Sequence, residues 1–144
     1  MSPSAAPRIT QPRTLSHSPT RRGFAKVDGV PNARQYLGAH GEAVAARWYV
    51  ARGFSVIDRN WRIRGGEIDL VVQLGSQLVF CEVKTRTTDA FGSGLDAVGW
   101  TKQQRLRKLA FAWLDAHPAE EYRAIRFDVA SIVAGVIEVV EAAF

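Results

Sequence analysis

The sequence predicts an α/β fold: a three-layer, mixed five-stranded sheet flanked by helices, in the order α-β-β-β-α-β-β. Three observations lead there. Two stretches carry apolar residues at helical spacing, and five shorter ones read as strands. The second helical stretch falls between the third and fourth strands, a crossover that favours parallel neighbours. The second and third strands are separated by Gly75-Ser76 alone, a dipeptide suited to a type II′ hairpin and so to antiparallel neighbours.

The first helix is expected from Leu37 to Arg52, because Leu37, Gly41, Val44, Trp48 and Ala51 recur at helical spacing and Gly53 follows as a terminator. Residues 54–61 read as the first strand, 67–74 as the second and 77–84 as the third. Two-residue alternation places Glu67 and Asp69 on one face of the second strand, with Ile68, Leu70, Val72 and Leu74 on the other. Leu78, Phe80, Glu82 and Lys84 share a face of the third strand. A Gly- and Thr-rich loop is expected over 85–99. Thr101-Lys-Gln-Gln104 then reads as a capping box, opening a helix whose apolar face is Leu106, Leu109, Ala110, Trp113 and Leu114. Pro118 lies beyond its end, and residues 123–133 and 136–140 complete the sheet.

Residues 1–34 are expected to form a disordered basic leader ahead of a folded domain at 35–144. The leader is rich in Pro, Ser, Thr and Arg, and its six basic side chains face a single acid, Asp28. Its composition also resembles an organellar transit peptide. Cys81 is the only cysteine, so an internal disulfide and a Cys-rich zinc site are both excluded, and a reducing cytoplasmic setting is expected. No apolar run is long enough to span a bilayer. The net charge is +5. Outside the leader, basic side chains concentrate in residues 47–108, where eleven face six acids, while residues 109–144 hold two against six. The middle of the chain is therefore the expected nucleic-acid face, with an ordinary solvated surface as the plain alternative.

The informative cluster is Gly66-Glu-Ile-Asp69 followed by Glu82-Val-Lys84. Ionised groups are normally kept out of apolar strands, yet Asp69 lies in an Ile-Leu-Val-Val run and Glu82 in a Leu-Val-Phe-Cys run. Counted outward from the turn, the two acids stand at equal distance along the hairpin, so they should oppose one another. Two opposed carboxylates repel and raise each other's pKa. A divalent cation removes that conflict. Mg²⁺ or Mn²⁺ suits one or two carboxylates, the remaining positions going to water and phosphate oxygens. Lys84 places a positive charge at the same end, where it can orient or deprotonate a water or stabilise charge on a phosphate. The plain alternative is a salt-bridged Asp69–Lys84–Glu82 cluster at a sheet end.

Asp69 with Glu82-Val-Lys84 resembles the PD-(D/E)xK nuclease signature, with Ile68 in place of its proline. More narrowly, the chain is similar to the YraN family of small uncharacterised bacterial proteins, described as endonuclease-like. The matching segments are Gly41-Glu42, Arg59-Asn60-Trp61, Gly66–Leu70, Phe80–Arg86, Lys102 and Arg126–Val129. The resemblance covers about residues 36–133. It implies the restriction-endonuclease-like fold and a metal-dependent endonuclease acting on DNA more readily than RNA, as Holliday-junction resolvases do. It also implies that Glu42, on the first helix, helps hold the metal; a favourable helix-dipole contact is the bland reading of that residue. A resolvase-like role would suit a homodimer. A nucleic-acid-binding module or complex subunit with an unused site is the rival from another class.

Around this centre, Glu67 is either a supporting acid or a strand-edge ion pair. Asp128 either supports the site from the fourth strand or only pairs with Arg126. Arg86 could clamp a phosphate or pair with Asp89. Lys102, Arg105 and Lys108, with Arg107, are expected to load the exposed side of the second helix and bind phosphates. Trp61 and Trp100 are candidates for stacking on bases, or for core packing.

Overall fold

The structure, a computed structural model, describes residues 32–88, 98–118 and 121–144. Most of the expected leader and the greater part of the expected loop therefore lie outside the described residues. The elements are α1 (Ala33–Val50), β1 (Ser55–Ile63), β2 (Gly66–Leu74), β3 (Gln77–Arg86), α2 (Trp100–Ala116), β4 (Ala124–Val133) and β5 (Val136–Val140). The strands lie side by side in sequence order. Neighbours are antiparallel except β3 and β4, which run parallel because α2 carries the chain back across the sheet.

The helices cover opposite faces. On one, Ala45, Ala46 and Tyr49 of α1 pack with Leu70, Val72, Val79, Cys81, Ala130 and Ile132. On the other, Leu109, Ala110 and Trp113 of α2 pack with Ile68, Val71, Leu78 and Phe80. Tyr49 and Trp113 are both fully buried. Apolar burial on this scale contributes about 1.5–3 kcal/mol per large side chain. No helix among the described residues is long and apolar enough to cross a membrane.

The expected order of elements holds, but several details differ. α1 begins four residues before Leu37, inside the expected leader. Asn32 caps it: its side chain accepts from the Gln35 backbone N–H, and the Gln35 side chain accepts from the Asn32 N–H. The buried row of α1 is Gly41, Ala45, Ala46 and Tyr49, not Leu37, Val44, Trp48 and Ala51. Small side chains win that face because helix and sheet approach closely; a Cβ on Gly41 would stand 1.8 Å from Thr85 Oγ1. At α2 the capping box is not formed. The helix starts two residues earlier, with Gly99 at the cap and no side-chain cap bond, so Thr101 lies within the first turn. β3 continues two residues past Lys84, because parallel pairing with β4 runs on to Arg86↔Val133.

In the hairpin, Gly75 adopts φ +58° and Ser76 stays outside the positive-φ region, as a turn with glycine first requires. The expected alternation along β2 breaks at one place. Ile68 joins the α2 side with Val71, while Leu70 and Val72 face α1. The break falls at Asp69. Across from it on β1, between the pairs Arg59↔Leu70 and Trp61↔Ile68, Asn60 adopts φ +52°. Asparagine tolerates that left-handed conformation better than most residues.

Candidate active site

The β2–β3 ladder is regular from Leu74↔Gln77 to Leu70↔Cys81 and then stops. One further step in the same register would set Asp69 against Glu82. There, Oδ2 of Asp69 accepts the backbone N–H of Val83 at 2.8 Å. A side chain thus takes over from the ladder where the strands part, and it anchors the carboxylate. Glu67, Asp69 and Glu82 line a cavity of about 150 Å³ roofed by Lys102, Arg105, Leu106 and Leu109 of α2. The two hairpin acids therefore lie on one side of the sheet, around a shared space.

The cavity is electrostatically unbalanced. Burial raises the pKa of Asp69, the charge of Glu82 raises it further, and Glu42 and Glu67 add smaller increments. The Val83 N–H opposes them, yet the carboxyl is pushed up to about 7 from 3.8. Glu82 is 13% exposed and accepts from the Lys102 ammonium. Arg105 donates from Nε to the Gly65 carbonyl at 3.0 Å, which holds its guanidinium at the rim. Gly66 permits this approach: a Cβ there would come within 2.8 Å of Arg105 and 2.9 Å of Leu109.

Glu42 has its own partner, Asn60, whose Nδ2 donates to Oε2 at 2.6 Å. Among the described residues, no three His, Cys, Asp or Glu side chains form a ready-made metal cage. Glu67 pairs with Arg62 of β1 at 2.9 Å, across the register, while also lining the cavity. Lys84 stands two positions beyond Glu82 on β3, partly buried. Arg86 lines a separate groove with Arg34, Leu37, Thr85, Thr87 and Thr88; the alternative pairing with Asp89 lies outside the described residues. Lys108 is exposed on α2.

Other expected residues have different surroundings. Lys102 is exposed, as expected, and its side chain also reaches the cavity. It heads the inward row Lys102, Leu106, Leu109, Trp113, because spacings of four, three and four residues return to one face. Arg107 lies over the rings of Phe144 and Phe127, at 5.2 and 6.0 Å. Trp61 packs on the α2-side core, whereas Trp100 is 72% exposed. Asp128 is 1% exposed and fully wired. It accepts from Tyr49 Oη at 2.6 Å, from Arg126 Nε and Nη2 at 2.8 Å each, and from the Ala142 N–H at 3.0 Å. Cys81 lies beside this group, and burial pushes its thiol up to about 12, so it stays unreactive.

Sequence reasoning gives Asn60 no role of its own. An asparagine interrupting a strand, where it is disfavoured, is the available signal.

A small α/β protein with a carboxylate-lined cavity at the parting end of its central hairpin is the class this geometry defines. The chain belongs to the uncharacterised protein family UPF0102, whose model matches residues 41–132. It is 48% identical over 102 residues to a UPF0102 protein of Streptomyces griseus subsp. griseus, covering 71% of this chain and 86% of that one. It is 53% identical over 97 residues to one from Frankia casuarinae, covering 67% and 81%. A third, from Parafrankia, is 53% identical over 98 residues, covering 68% and 82%.

Proposed function

We propose that the chain is a divalent-metal-dependent endonuclease that hydrolyses phosphodiester bonds in DNA, branched and single-stranded forms included. The observation that supports this most is Asp69: a half-buried carboxyl held beside Glu82, with further acids around it and its proton affinity raised despite the Val83 N–H. Such an arrangement costs stability in the protein alone and is relieved by a cation.

The donor set fits a hard cation, since the cavity's anionic side chains are all carboxylates. Asp69 and Glu82 would hold Mg²⁺ or Mn²⁺, with Glu42 adding to them once released from Asn60. When bound, the ion supplies Lewis acidity and a water of lowered pKa. The protein does the rest. The Val83 N–H fixes Asp69 in direction. Lys84 orients the attacking water and stabilises charge on the phosphate. Lys102 and Arg105 place cations at the cavity, and Lys108 continues the positive surface along α2 for neighbouring phosphates. DNA is favoured over RNA by the resemblance to the PD-(D/E)xK superfamily.

A second reading, a nucleic-acid-binding module with an unused site, has an observation in its favour. Glu82 and Glu42 are both engaged, by Lys102 and Asn60. The two readings separate in one experiment. End-labelled single-stranded, duplex and branched DNA, with an RNA control, are incubated with the protein in Mg²⁺ or Mn²⁺. The expected result is metal-dependent cleavage that falls about 10²–10⁴-fold in Lys84→Ala while DNA binding persists. Salt-sensitive binding without hydrolysis in either metal would favour the binding module. Undiminished cleavage by Lys84→Ala would remove the mechanism.

A further inference from the structure

We propose that Lys102 is the resident cation of the carboxylate site: it holds Glu82 beside Asp69 until a divalent ion displaces it, and the freed ammonium then meets the substrate phosphate. This rests on the metal-dependent reading of the site and adds to it a residue with two successive partners.

The position of Lys102 is unusual for a lysine. It continues a row whose other members, Leu106, Leu109 and Trp113, are 8%, 5% and 0% exposed. It also lies in the first turn of α2, where the helix dipole disfavours a cation, and no acidic residue occurs in that turn to offset it. Nothing local to the helix favours a positive charge there. Its partner is tertiary: Glu82, twenty residues away on β3. The Lys102 side chain remains 47% exposed, so the ammonium can leave without crossing packed protein.

The charges make the exchange useful. Glu67, Asp69 and Glu82 face Lys102 and Arg105 across the cavity. Among these lining residues, two cations against three carboxylates leave one negative charge in excess once Asp69 is ionised, and that excess repels a phosphodiester. A divalent ion reverses that excess to one positive charge. The same ion and the ammonium repel each other, so Glu82 cannot serve both fully. Lysine suits the role because it is a point charge on a flexible stem, not a rigid fork fixed by paired hydrogen bonds. Arg105, tied to the Gly65 carbonyl, stays at the rim through the exchange.

The test is calorimetric titration of Mn²⁺ into the wild type, Lys102→Met, Lys102→Arg and Asp69→Asn. Lys102→Met keeps most of the apolar stem and removes the competitor, so it should bind Mn²⁺ about three- to tenfold more tightly than the wild type, with Lys102→Arg close to the wild type. In a Lys84→Ala background, which blocks turnover, Lys102→Met should weaken binding of a short oligothymidylate and lower its salt slope by about one, but only with Mn²⁺ present. Equal or weaker Mn²⁺ binding by Lys102→Met overturns the proposal and makes Lys102 a prop for Glu82. The nuclease reading then survives, provided the wild type binds Mn²⁺ and Asp69→Asn does not. Absence of Mn²⁺ binding in both the wild type and Lys102→Met overturns both.

Discussion

Two carboxylates, Asp128 on β4 and Asp69 on β2, behave in opposite ways in the interior. Asp128 receives four donors from three parts of the chain: the Tyr49 hydroxyl of α1, two nitrogens of Arg126, and the Ala142 N–H after β5. Asp69 accepts the Val83 N–H but is set among Glu82, Glu42 and Glu67, and its carboxyl stays pushed up to about 7. Burying an ionised group is costly unless it is paired and hydrogen-bonded. Asp128 meets that condition within the protein, so it acts as a tie between a helix, a strand and the segment after the last strand. Asp69 meets it less well, and it lines the cavity. A buried charge matched by donors holds the fold together, and one crowded by like charges is kept at a cost to stability.

Substitution should separate the two roles. Asp128→Ala leaves Arg126 and the Tyr49 hydroxyl without their main acceptor, and an expected loss of about 3–5 kcal/mol should appear as a lowered urea midpoint at unchanged m-value. Under conditions where that variant remains folded, its Mn²⁺ affinity should match the wild type. A large change in affinity with little loss of stability would reverse the assignment of roles. The Asp69 effect runs the other way. Its folded pKa of about 7 lies above the 3.8 of an ordinary aspartate, so between those values the native state keeps a proton that the unfolded chain has lost. Metal-free stability should therefore fall as pH rises from about 4 to about 7. Below that window Asp69 adds nothing, and above it the full penalty is present. Asp69→Asn keeps an oxygen for the Val83 N–H and removes the charge. At pH 8 it should be more stable than the wild type by about 1–3 kcal/mol, with a flatter pH profile. Equal denaturation midpoints for the two proteins from pH 4 to 8 would show that Asp69 carries no such penalty.

The contrast also explains what is legible in the sequence. That Asp69 and Glu82 come to one cavity follows from counting outward from Gly75-Ser76, because a hairpin's register is set by its turn. The order of elements follows from periodicity for the same local reason. The wiring of Asp128 is not accessible that way: Tyr49 lies 79 residues from it, and nothing in a strand pattern names the partner. The charge of Lys102 marks it as exposed, which it is, while its spacing from Leu106, Leu109 and Trp113 also sets it over the cavity. Asn60, which both takes a left-handed conformation across from Asp69 and holds Glu42, combines a backbone and a side-chain role that only the folded register brings together. The buried face of α1 escapes periodicity because large apolar residues dominate that pattern, and the closest helix–sheet contact is made by the smallest.

That last point bears on the smallest predicted effects, which come from two glycines three residues apart on α1. Around Gly38 nothing lies within 4 Å of where a methyl group would stand, so Gly38→Ala should only restrict the unfolded chain and favour the helix. A gain of about 0.5–1 kcal/mol is expected. Gly41 meets Thr85, the residue next to Lys84, and a methyl there must push either the threonine or the helix aside. Gly41→Ala should cost about 1–3 kcal/mol, the steric cost exceeding the same helix-propensity gain. Thermal melts of the two variants settle the sign of each. A pairing of Gly41→Ala with Thr85→Ser distinguishes which atom resists: the Oγ1 contact survives that change and only the Thr85 Cγ2 contact, at 3.1 Å, is removed, so a full rescue would place the strain on the methyl and leave the α1–β3 spacing itself adjustable.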